Sequence, residues 1–267
     1  ALAMPDLARP GVTLHYETRG RGDPLLLVAG LASDALSWLT VAEPLAARWR
    51  TLAPDNRGVG RTTPQDVPVD VDTLADDCAA LLDREGAARA DVVGHSMGGF
   101  VAQRLALRHP ARVRRLVLAA TGASAGPRNV ERFFALADRL DAGEAPATWF
   151  RALFELLLTR RFLGDPASVD AALRWALEYP FPQGAAAFRR QCDAIAAFDG
   201  HADVSAIAHP ALVLAGREDR LFPPEGCAAF AASLPDARFV AIDGAAHAIH
   251  TEQPKAFVDA IGGFLRD

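Results

Sequence analysis

Cysteine is scarce in this chain: Cys78, Cys192 and Cys227 are the three in 267 residues, far apart and odd in number. That pattern excludes a disulfide framework and a thiolate metal cluster, and it predicts free buried thiols in a reducing compartment. Long apolar runs are missing too. Nothing approaches the roughly 18 uninterrupted apolar residues of a membrane-spanning helix. The first residues, Ala1-Leu2-Ala3-Met4-Pro5, lack the charged and apolar regions of a signal peptide. Met4 is read as the initiator, with Ala1–Ala3 left over ahead of it. Together these absences predict a cytoplasmic protein. An excess of basic charge is also absent: the net charge of −5 offers no field for nucleic acid or an anionic membrane surface. There is no internal repeat and no low-complexity tract. What is plentiful is apolar side chain, 51% of the residues, ample for a core.

Short apolar runs alternate with helical patterns along most of the chain. Residues 12–17 alternate like a half-buried strand, whereas Leu25-Leu26-Leu27-Val28 is continuous, as expected of a strand covered on both faces. Residues 51–53, 91–93, 113–120, 211–215 and 238–242 read as further strands. Helical spacing occurs at 34–49, 71–85, 100–107, 224–233 and 254–265, the last two starting near a proline suited to a first turn. Strands separated by helices imply βαβ units, hence a mostly parallel sheet with helices on both faces. The rhythm breaks between 122 and 209, where four amphipathic helical stretches (129–140, 147–159, 166–178 and 184–198) stand with no convincing strand. Such an insertion between two strands of one sheet reads as a cap. The expected division is a core of residues 1–121 and 210–267, with 122–209 inserted after the sixth strand.

The segment Gly94-His95-Ser96-Met97-Gly98-Gly99 sits where a strand ends and a helix begins. Strand, G-x-S-x-G, helix is the nucleophile-elbow pattern. A sharp turn projects the serine hydroxyl clear of the sheet, and the helix N-terminus behind it favours a developing oxyanion. The same letters would also suit a glycine-rich turn with a serine helix cap. A nucleophilic Ser96 needs a base, and the base needs an orienting carboxylate. Of seven histidines, His247 follows the strand at 238–242, and His250 is its rival. His95, inside the elbow, should point away from Ser96. His15, His109, His201 and His209 suit surface or core roles. For the acid, Glu218 and Asp219 both follow the strand at 211–215, and only one of two neighbours can face one histidine.

The order Ser96…Asp219…His247 resembles that of the α/β-hydrolases, over nearly the whole chain. Four motifs carry the likeness: G-x-S-x-G at Gly94–Gly98, Gly216-x-x-Asp219, His247 with Glu252-Gln253-Pro254 beyond it, and Asp55-x-Arg57-Gly58-x-Gly60-x-Thr62. The likeness favours Asp219 over Glu218 and His247 over His250. It implies an α/β-hydrolase fold, no cofactor or metal, and acyl transfer through Ser96, His247 and Asp219. It also implies an oxyanion hole built from the backbone N–H groups of Met97 and Leu31. One departure stands out. Ala29 occupies the place where the family commonly has a histidine before Gly30, which removes a support of that loop.

Within the family the chain is similar to 3-oxoadipate enol-lactonases and small-molecule esterases, through the loop Ala29-Gly30-Leu31-Ala32-Ser33 and the compact cap. The implied partner is a small, partly apolar ester or lactone, and a homodimer stays open. C–C bond hydrolases and cofactor-free haloperoxidases or perhydrolases share these features, and a ligand-binding receptor on a hydrolase fold is the alternative of another class. Trp149, Phe150, Phe154 and Tyr179 are the candidate pocket residues. Arg160-Arg161 and Arg189-Arg190 read as solvated helix faces that could alternatively grip a substrate carboxylate.

Overall fold

The computed structural model describes residues 6–266; Met4, read above as the initiator, lies outside them. Eight strands form one sheet: β1 (Asp6–Arg9), β2 (Val12–Arg19), β3 (Pro24–Val28), β4 (Arg50–Pro54), β5 (Ala90–His95), β6 (Val113–Ala119), β7 (Ala211–Gly216) and β8 (Ala237–Ile242). Their order is β1-β2-β4-β3-β5-β6-β7-β8. β2 pairs antiparallel with β1 and β4, and every pair from β4 through β3 to β8 is parallel. This is the α/β-hydrolase architecture.

The continuous apolar runs divide by pleat. Leu26 and Val28 of β3 join Val92, Leu116 and Val213 in one core, while Leu25 and Leu27 join Val93, Val117 and Leu212 in the other. Successive side chains of a strand point to opposite faces, so a strand covered twice must be apolar throughout. The first core is closed by α2 (Val71–Arg84), α3 (Met97–Arg108) and α9 (Pro224–Ser233), and the second by α1 (Leu39–Ala46) and α11 (Pro254–Phe264). Each Leu or Val so buried contributes roughly 1.5–3 kcal/mol. Asp70 starts α2 by accepting the Thr73 N–H at 2.7 Å, an N-cap that periodicity could not place to the residue.

Between β6 and β7 lie α4 (Pro127–Asp141), α5 (Pro146–Leu157), α6 (Arg160–Leu163), α7 (Pro166–Leu177) and α8 (Ala185–Ala197). A last short helix, α10 (Ile249–Glu252), precedes α11. Two expectations change in detail. The helix read at 34–49 is a single 3-10 turn, Ala35–Trp38, followed by α1, which stops before Trp49. The stretch at 147–159 breaks at Leu158, which is extended, and Thr159 then caps α6 by accepting the Phe162 N–H. No helix among the described residues is long and apolar enough to cross a membrane. The three thiols are free and buried, and burial raises the pKa of Cys192 and of Cys227 to about 12.

Candidate active site

β5 ends at His95, and the chain turns at Ser96 with φ 55° and ψ −120°, left-handed backbone that a non-glycine residue adopts only under restraint. The restraint is visible. Ser96 N–H donates to Ala119 O at 2.9 Å, and Ser96 O accepts from Gly99 N–H at 2.8 Å and from the Thr121 hydroxyl at 2.9 Å. The helix then starts so close to β3 that a Cβ on Gly98 would stand 2.0 Å from Val28 O. Glycine at position 98 is therefore required by sterics.

Asp219 and His247 arrive on the loops after β7 and β8. Nδ1–H of His247 donates to Asp219 Oδ2 at 2.9 Å, with both side chains almost wholly buried. The other carboxylate oxygen accepts the Leu221 and Phe222 N–H groups at 2.8 and 3.0 Å. These donors hold the carboxylate in place. Because Nδ1 carries the proton, neutral His247 keeps Nε2 as an acceptor, the form a general base needs. Phe222 lies nearly parallel to the imidazole, centroids 5.8 Å apart.

Glu218 is exposed. His250 is buried against Trp38 and His95, ring centroids 4.8 and 4.7 Å away, and its pKa falls to about 4, chiefly through burial and then through the charge of His247. His95 Nε2–H donates to His247 O at 2.9 Å, and burial holds the His95 pKa well below the ordinary value. The remaining histidines are engaged elsewhere through one ring nitrogen each, His15 by Asp6, His109 by Asp76, His201 by Asp199 and His209 by Pro110 O.

Glu252 has a role that its motif alone did not disclose. One carboxylate oxygen accepts the Ala246 N–H at 2.8 Å, and the other accepts the N–H and hydroxyl of Thr159 at 3.0 and 2.7 Å. It thereby ties the loop of His247 to the inserted helices, as does Ala248 N–H on Leu157 O at 3.1 Å.

The loop after β3 brings Gly30 against Ser96: a Cβ built on Gly30 would lie 3.0 Å from Ser96 Cβ. The support lost with the histidine at position 29 is replaced from two directions. Asn56 Nδ2 donates to Ala29 O at 3.2 Å, and the wholly buried Gln191 of α8 accepts the Ala32 N–H at 3.0 Å while donating to Arg57 O at 3.0 Å. Asp55, first residue of the motif at 55–62, accepts the Ala35 and Arg61 N–H groups at 2.9 and 2.8 Å, so that motif braces the same loop. Gln191 escaped sequence reasoning because its partners lie far away in the chain.

A cavity of about 290 Å³ lies between this loop and the inserted helices. Trp149, Phe150 and Tyr179 line it together with Ala32, Ser33 and Asp34, whereas Ser96 and His247 are not among its lining residues. Phe154 does not line it either. One turn farther along α5, its ring stands 6.2 Å from that of Phe150. A second cavity of about 370 Å³ opens behind Phe222, between residues 121–124 and α9. The first adjoins the loop of Gly30 and Leu31 at Ala32 and has aromatic walls, the features of a small-molecule pocket. Arg160, Arg161, Arg189 and Arg190 are not among its lining residues, and Arg189 is bound by Asp138 and Asp141 and Arg190 by Asp66.

A family model described as the α/β hydrolase fold matches residues 23–254. A protein of Azorhizobium caulinodans, provisionally named a carbamate hydrolase (RutD), is 32% identical over 98% of both chains. Among solved structures, the enol-lactonase of Burkholderia xenovorans LB400 is 28% identical with a TM-score of 0.88, covering 98% of this chain and 100% of its own. A thermophilic esterase of Thermogutta terrifontis, solved with malate bound, is 30% identical with a TM-score of 0.84, covering 98% of this chain and 96% of its own. The chain belongs to the α/β-hydrolase fold family and is a hydrolase.

Proposed function

We propose that the protein is a serine hydrolase that opens an ester or lactone bond of a small, partly apolar molecule. The observation that carries this reading is the buried 2.9 Å bond from His247 Nδ1 to Asp219 in a chain whose strained turn presents Ser96. Ser96 Oγ attacks the carbonyl carbon while His247 Nε2 takes its proton. Asp219 holds the tautomer and stabilises the imidazolium. The N–H groups of Leu31 and Met97 receive the developing oxyanion, and loss of one such donor costs about 3–4 kcal/mol of transition-state stabilisation. His247 then returns the proton to the leaving oxygen, which departs as an alcohol or, in a lactone, stays tethered to the acyl group. Water, activated by the same imidazole, releases the acid and restores Ser96. The helices between β6 and β7 act as a cap that closes the acyl site and selects the substrate.

The names of the enol-lactonase and esterase relatives favour ester and lactone substrates. The carbamate-hydrolase name of the Azorhizobium protein adds carbamates to the compounds worth assaying. The test is a panel of short-chain p-nitrophenyl esters, lactones including enol-lactones, and carbamates, assayed with wild type and Ser96→Ala. Turnover that drops at least about 10⁴-fold in the variant is the expected result. Full activity in Ser96→Ala overturns the reading.

A further inference from the structure

We propose that the cavity under the inserted helices accepts an uncharged or ammonium-bearing arm of the substrate and turns away one that ends in a carboxylate, with Asp34 as the deciding group. The inference deepens the reading of Ser96 as nucleophile and rests on it for its meaning in catalysis, though the charge preference of the cavity can be measured without turnover.

The walls of the cavity are largely apolar, with Trp149, Phe150, Trp175 and Phe188 among them. Its lining includes two carboxylates, Asp34 and Glu144, and no lysine, arginine or histidine. The two acids differ. Glu144 is neutralised from outside, since Arg139 grips both of its oxygens at 2.6 and 2.9 Å. Asp34 is buried and accepts the Leu36 N–H at 2.9 Å together with the hydroxyl of Tyr179, both neutral donors. The cation that acts on it is Arg61, whose guanidinium stands 5.7 Å from the centroid of the lining ring of Phe181 and is itself engaged by Glu17 at 2.9 Å and by Asp55 at 3.3 Å, while the charge of Asp55 opposes that of Asp34. Burial, the largest influence, raises the Asp34 pKa and marks the group as short of compensation.

Arg189 and Arg190 are held on the surface by their own aspartates, and neither they nor Arg160 and Arg161 are among the lining residues. A carboxylate entering such a space loses its hydration and meets a like charge with no cation on the lining to pair with. A hydroxyl or ammonium group can instead donate to Asp34. Selectivity of this kind arises from the repulsive element as much as from the attractive one.

The test uses Ser96→Ala, which removes turnover, and three six-carbon probes: hexylamine (an ammonium at pH 7), 1-hexanol and hexanoate. By calorimetry, the amine and the alcohol should each bind at least about tenfold more tightly than the acid. In Ser96→Ala combined with Asp34→Asn, which keeps the cap on Leu36, the amine-over-acid ratio should shrink at least about tenfold. Hexanoate binding as well as hexylamine overturns the proposal, and so does a ratio unchanged by Asp34→Asn. The first comparison needs no change at Asp34, so a poorly folding Asp34→Asn leaves the proposal open to refutation. If wild type cleaves none of the assayed esters, lactones and carbamates, the hydrolytic reading fails, while the three affinities still decide the charge preference.

Discussion

The ends of β5, β7 and β8 and the helices inserted between β6 and β7 hold their residues by different means. β5 and β7 are buried at every position, and the loops that follow them spend their donors and acceptors on one another. Of the inserted helices, α4 and α8 pack into the first core, but α5 and α7 bury far less. Only Trp149 of α5 and only Val169 and Leu173 of α7 are fully enclosed, while Trp175, Leu177 and Phe181 are exposed. The insertion meets the loops of the core through a few specific contacts, such as Gln191 on Ala32, Glu252 on Thr159 and Tyr179 on Asp34. The lesson concerns tolerance. Geometry that must be kept to a fraction of an ångström is embedded in the sheet, whereas the surface proposed to choose the substrate rests on contacts that can change without unfolding the sheet.

The sharpest way to break this contrast is Asp219→Asn. Loss of the correct imidazole tautomer should lower kcat on the order of 10⁴-fold with little change in melting temperature. A variant that keeps its activity would show that the buried pair is structural. Next comes acid. His250 binds a proton near pH 6.5 when unfolded but only near pH 4 in the native state. The native state therefore loses stability as pH falls from about 6.5 to 4, by about 3 kcal/mol, and regains it above that window. Urea midpoints at pH 7 and pH 4.5 measure the loss, and His250→Leu should flatten the slope.

Gln191→Ala probes the seam between the two regions. With the Ala32 N–H and Arg57 O left unpaired, the loop carrying the Leu31 donor loosens, and kcat should fall about 10- to 100-fold while KM changes less. A change in KM alone would assign Gln191 to substrate binding instead. The smallest effect belongs to Trp175→Ala on the half-exposed face of α7: stability within about 0.5 kcal/mol of wild type, with a severalfold rise in KM for the larger esters.

Much of the sheet was legible because a strand covered on both faces must be apolar at every position, as Leu25–Val28 is. The edge strand β1 was not, since its half-exposed residues Asp6–Arg9 carry no such run. Ser96 could be picked out because it follows directly on a strand end with glycines marking the turn, whereas Asp219 and His247 were preferred to Glu218 and His250 through the resemblance to α/β-hydrolases. Phe154 is not among the lining residues of the cavity of about 290 Å³, which helical spacing could not tell, since it gives a face but not how far along the helix a cavity extends.

The sequence alone determined the kind of fold and the chemical types available at the strand ends. Both follow from local rules: pleat alternation, helix starts, and the glycines a tight turn demands. Only the tertiary structure decided that Gln191 takes over the support absent at Ala29, that Glu252 joins the loop of His247 to Thr159, and that Asp34 faces an apolar cavity without a cation. Those contacts link residues far apart in the chain, and no local pattern records which distant side chain will satisfy a buried N–H or leave a buried carboxylate uncompensated.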